Sequence, residues 1–150
     1  MEFEKKTLDA ALNITDEVSV MTRGCSMRPL FKEHRDIVNI KKKFRDVKRG
    51  DVIAYPNKNK TQFILHRILK VSGDNLIIRG DNNFFLEKRK ISDVVGIMTS
   101  FIRNGKYVDC QKSFKYKIYS FYILNSYPLR YLYHKRFRPF LSKIKHFFFK

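Results

Sequence analysis

The sequence predicts a mainly β protein: a curled, barrel-like antiparallel sheet with a short N-terminal helix and a helical, basic and aromatic C-terminal tail. Short runs of branched and apolar residues recur through the middle of the chain, separated by turn-forming clusters. Asn104-Gly105 stands between Phe101-Ile102 and Tyr107-Val108, a strong hairpin signal. Composition then changes sharply after Asp109, the last acidic residue.

Taken in order, the opening segment M-E-F-E-K-K-T-L-D-A-A-L-N-I mixes charge with Phe3, Leu8, Ala11 and Leu12 and reads as an amphipathic helix packed on the domain. It lacks the apolar core of a secretory signal. Strands are predicted at Val18 to Arg23, Asp36 to Lys41, Val52 to Tyr55, Gln62 to Val71, Asn75 to Arg79 and Val94 to Arg103. K-R-G-D, P-N-K-N-K, S-G-D-N and R-N-G-K supply the turns. Short strands at this spacing favour a curled antiparallel sheet. Beyond Asp109, residues 111–150 hold ten Lys or Arg, no acid and 13 of the 22 aromatics. Pro128 and Pro139 divide this tail into segments the length of amphipathic helices, S-F-K-Y-K-I-Y-S-F-Y-I-L and F-L-S-K-I-K-H-F-F-F-K. The expected organisation is a catalytic domain over 1–110 and an extension over 111–150.

A chain of 150 residues suits one domain that folds without disulfides. Cys25 and Cys110 show no C-x-x-C spacing and His34, His66, His134 and His146 are scattered, which argues against zinc and for a reducing compartment. No stretch reaches the ~18 consecutive apolar residues that span a bilayer, so a cytoplasmic or peripherally membrane-associated protein is expected. The net charge of +18 raises nucleic acid as a partner, but no DNA- or RNA-reading motif accompanies it. Basic residues interleaved with Phe, Tyr and Leu suit an anionic membrane surface better. The competing reading packs the tail aromatics on the sheet and leaves the charges solvated.

Three segments carry chemistry: G-C-S-M-R-P at Gly24 to Pro29, I-L-H-R-I at Ile64 to Ile68 and R-G-D-N-N at Arg79 to Asn83. A serine hydroxyl needs a base within hydrogen-bond reach, and the base benefits from a group that orients it. Ser26, His66 and Asp81 supply those residue types. Gly24 and Pro29 place the serine on a bend after a strand. His66 sits within a long apolar strand, a stiff mount for a base. A thiol nucleophile at Cys25 is the less favoured alternative, since neighbours on an extended chain point to opposite faces.

These segments, with K-R-G-D-V-I at Lys48 to Ile53, resemble the ordered boxes of the signal peptidase I group of serine peptidases, in its endoplasmic-reticulum and archaeal form with a histidine base. The resemblance runs from Val18 to Gly105. It implies a Ser-His endopeptidase without a cofactor, with Ser26 as nucleophile, His66 as general base and Asp81 as its acidic partner. It further implies that Gly24, Cys25, Met27 and Pro29 line the substrate site, and that signal or leader peptides with small residues before the cut are the substrates. Glu87 is the candidate for a second acidic residue that relatives often carry after the G-D-N-N box. Gly24 stands where some relatives place an oxyanion-binding hydroxyl, leaving the Ser26 N–H to bear that load. Relatives typically begin with a membrane span, which this chain lacks, so the tail or a membrane protein partner would bring the enzyme to its precursors. The non-enzymatic alternative is a catalytically inactive, membrane-associated peptide-binding module.

Overall fold

A computed structural model describes residues 2–4, 11–12, 14–42, 44–59 and 61–133. Its strands are β1 (Glu2–Glu4), β2 (Glu17–Met21), β3 (Ile37–Lys42), β4 (Val52–Pro56), β5 (Gln62–Ser72), β6 (Asn75–Arg79), β7 (Glu87–Lys90), β8 (Gly96–Arg103) and β9 (Lys106–Asp109). The helices are α1 (Phe114–Asn125) and α2 (Tyr127–Leu132). The protein is mainly β, as predicted. Nine antiparallel strands form one sheet in the order β2-β3-β8-β4-β5-β6-β7, with β1 added beside β5 and β9 beside β8. The two ends of this path do not pair, so the sheet is bent but open. The register breaks at Asn39/Ile40 and Ile68/Lys70, irregularities of the β-bulge kind that bend a strand.

The opening residues depart from expectation. Residues 2–4 form a strand on β5, and only Ala11, Leu12 and Ile14 are helical among the described N-terminal residues. Alternation along β4 and β5 divides the interior into two clusters. Val52, Ala54, Phe63 and Leu65 enter one, with Met27, Leu30 and Phe31 from the serine loop. Ile53, Tyr55 and Ile68 enter the other, with Ile78 and Ile97. Both faces of the central strands are covered, which explains why the sequence around His66 is almost continuously apolar.

Part of the tail completes the first cluster. Ser113 caps α1 by accepting from the Tyr116 N–H, and Tyr116 and Tyr119 pack against the sheet core while Ile123 is fully buried. The helix is where the sequence predicts it, but it is not amphipathic. Its inner face and its outer face are both apolar. No helix among the described residues is long and apolar enough to cross a membrane. The closing segment F-L-S-K-I-K-H-F-F-F-K lies outside the described residues.

Candidate active site

Ser26 sits, half-buried, on the bend that follows β2. The bend is pinned from below and above. Met27, Leu30 and Phe31 sink into the core, and Glu33 accepts from the Gly24 N–H at 3.0 Å while pairing with Arg28 at 3.2 Å. From the other side, the turn after β6 clasps the loop: the Asn82 N–H donates to the Ser26 carbonyl at 2.7 Å, and Asn82 Nδ2 donates to the Cys25 carbonyl at 3.2 Å. Gly24, Cys25 and Pro29 are exposed around the serine but are not among the residues that line the cleft shared by Ser26 and His66. Met27 is not exposed. It is wholly buried, so its expected contact with substrate is replaced by a loop-anchoring one.

His66 is held on β5 directly across from Ile53 of β4. Its Nδ1 lies 2.9 Å from Glu87 Oε1 and 2.8 Å from the Tyr55 hydroxyl oxygen. Tyr55 in turn donates to Glu87 Oε2 at 3.1 Å. With the tyrosine proton directed at Glu87, both neighbours of Nδ1 are acceptors, which favours the tautomer with hydrogen on Nδ1 and the lone pair on Nε2. The hydrogen bond from His66 holds the Glu87 carboxyl below the ordinary glutamate value, against the opposing effect of burial, with Tyr55 and Arg89 adding to it. Burial, reinforced by the Glu87 charge, pushes the Tyr55 phenol well up and keeps it a donor.

His66 Nε2, the other ring nitrogen, lies against the backbone of Gly80 in the turn after β6. A Cβ added at Gly80 would lie 3.0 Å from His66 Nε2 and 2.6 Å from the Ser26 carbonyl oxygen. The imidazole edge and the Ser26 segment therefore approach the same point, and glycine is needed there because no side chain fits between them. Ser26, His66 and Glu87 line one open cleft of about 630 Å³, together with Ile64, Asn83 and Phe85.

Asp81 does not orient His66. Its two oxygens accept from Arg67 Nε and Nη2, each at 2.8 Å, and Oδ2 also accepts from the Tyr119 hydroxyl at 3.0 Å. Strand alternation accounts for the difference: Arg67 follows His66 on β5 and points to the opposite face, where Asp81 and α1 meet it. Glu87, paired with Ile78 across β6 and β7, shares the His66 face instead. Arg67 and Asp81 are both fully buried. Burial alone would lower the Arg67 pKa, but Asp81 and then Tyr116 outweigh it and raise the value. Arg67 Nη1 also donates to the Gly50 carbonyl at 2.9 Å, to Ser120 Oγ at 2.9 Å and to the Tyr116 hydroxyl at 3.2 Å. Arg130 Nη2 donates to the Asp81 carbonyl at 2.6 Å. Asp81 is thus the keystone between α1, α2 and the turn that clasps Ser26.

Tyr55, Arg67 and Asn82 are absent from the sequence-based set. A signal existed for Tyr55, which is two residues from Ile53 on β4 and so shares the face of His66. The K-R-G-D turn is structural: Asp51 pairs with Arg45 at 2.8 and 2.9 Å and accepts from the Lys48 N–H at 2.9 Å. Cys25 and Cys110 are both free thiols, and burial pushes the Cys110 thiol up to about 12. Among the described residues no group of three His, Cys, Asp or Glu could hold a metal ion. No family model, curated protein or solved structure matches the chain.

Proposed function

We propose that this chain is a serine endopeptidase of the signal peptidase I type, cutting signal or leader segments from precursor polypeptides. The observation that carries the reading is the setting of His66: Nδ1 is engaged by Glu87 and Tyr55, Nε2 lies against the Gly80 backbone that the Ser26 carbonyl also approaches, and His66 and Ser26 line one cleft. In the proposed reaction Ser26 Oγ attacks the scissile carbonyl as its proton passes to His66 Nε2. The Ser26 N–H receives the developing oxyanion. The C–N bond breaks, the imidazolium returns the proton to the departing amine, and water then hydrolyses the ester with His66 again as base. Glu87 keeps the ring oriented and stabilises its cationic form.

An extended peptide is the substrate class best supported. The main chain of β1 already adds antiparallel to β5, with Glu2 opposite Ile64 and Glu4 opposite Gln62, on the stretch leading to His66. That edge accepts an extended segment by strand addition, and alternate side chains would enter the cleft. By the family resemblance, small residues would precede the cut. The precursors would be met in the cytoplasm or at a membrane surface, with a membrane protein as a further partner. Incubating the protein with a peptide library tests this reading. Cleavage is expected from the wild type and is expected to vanish in both Ser26→Ala and His66→Ala. Undiminished cleavage by Ser26→Ala would sink it.

A further inference from the structure

Helix α1 carries two apolar faces. The inner one, with Tyr116, Tyr119 and Ile123, is spent on the sheet. The outer one is exposed: Phe114 at 75%, Ile118 at 54%, Phe121 at 70% and Tyr122 at 55%. At about 100° per residue these four fall in one sector of the helix, and the exposed Lys115 and Lys117 stand at its two borders. Four large apolar side chains grouped on one surface are more than the scattered exposure of an ordinary soluble helix.

Charge identifies the occupant. No carboxylate occurs in residues 111–150, and ten Lys or Arg do. A second copy of this chain would bring the same positive rim against itself. Nucleic acid offers phosphate but no medium for Ile118. An anionic bilayer offers both, phosphate at the level of the lysines and hydrocarbon just beneath. We propose that the outer face of α1 lies in the plane of an anionic membrane surface, with Phe114, Ile118 and Phe121 inserted at the boundary between headgroups and acyl chains, and Lys115 and Lys117 on lipid phosphates. The inference is independent of the peptidase reading, since no residue of the cleft takes part.

The chain has no tryptophan, so Phe121→Trp in the full-length protein creates a single reporter on this face. Its emission is expected to shift to the blue, and to become shielded from an aqueous quencher, on vesicles of phosphatidylcholine with phosphatidylglycerol. Phosphatidylcholine vesicles alone should have little effect. Adding Lys115→Glu and Lys117→Glu should weaken vesicle binding by about tenfold or more, and raised salt should weaken it in the parent. All these side chains are exposed, so an unchanged far-UV spectrum verifies folding in each variant. An emission that ignores anionic vesicles overturns the proposal. So does one that responds instead to single-stranded nucleic acid or to protein concentration, and so does unchanged binding after the charge reversals.

Discussion

Glu87 lies beside His66 Nδ1 and Asp81 pairs with Arg67, whereas the sequence predicts Asp81 as the acidic partner of His66 and Glu87 as a candidate second acid; variants at the two acids separate these contacts. Glu87→Gln preserves shape but withdraws the charge beside His66 Nδ1. Turnover is expected to fall about 10²-fold or more with KM little changed and with folding retained, because an amide can stabilise the wrong imidazole tautomer. Asp81→Ala acts on stability instead. It strands the Arg67 cation in the interior and should cost ~3–5 kcal/mol in denaturant unfolding. A Glu87 variant with full turnover would remove Glu87 from the relay. The Glu87 carboxyl also makes folding pH-dependent. Its folded pKa lies below the ordinary 4.5, so its contribution is complete above that value and is lost as pH falls through the depressed one. The wild type should therefore melt higher than Glu87→Gln at neutral pH, with the gap closing in acid. That Ser26 and His66 would come to one cleft was legible from their distinctive local settings. The choice between two acids was not, because it depends on which face of β5 each neighbouring strand presents.

Among the elements, β1 makes the most specific prediction. It occupies the edge of β5 from Gln62 to Ile64, while β4 takes the opposite edge of the same stretch. On the proposed reading an arriving peptide would displace it, and a site that is only partly vacant binds with reduced apparent affinity. Removing β1 in a Ser26→Ala background should tighten binding of an extended peptide, as read by fluorescence anisotropy. Unchanged affinity would show that peptides dock elsewhere. Neither β1 nor β7 was visible beforehand. Glu87–Lys90 is a run of four charged residues with no apolar alternation, and it becomes a strand only because β6 presents it with an unpaired edge. The strands rich in Ile, Val and Leu were found to within a few residues of their ends, and Asn75–Arg79 at both ends. Helix α1 lies where the sequence places it, but which of its apolar residues meet the sheet was not legible, since periodicity alone does not tell which apolar side chains a neighbouring element covers.

At the scale of the molecule, a net charge of +18 opposes compaction. Screening reaches about 10 Å at 0.1 M salt and acts on exposed charges far more than on the buried Arg67–Asp81 pair. The melting temperature should therefore rise as salt is increased over the range in which surface charges are screened, and a fall would mean that surface ion pairs dominate. The same architecture makes the serine loop a product of the whole fold: the core holds Met27, the β6 turn holds the Ser26 carbonyl, and Arg67, Asp81 and α1 hold that turn. The central claim is that this loop presents Ser26 as a nucleophile. Its most direct test is to quench the protein in acid during reaction with an activated peptide ester and to locate the acyl group by mass spectrometry. An acyl adduct on Ser26, absent from both Ser26→Ala and His66→Ala, is the predicted result. An adduct on Cys25, or ester turnover that continues in Ser26→Ala, would contradict it.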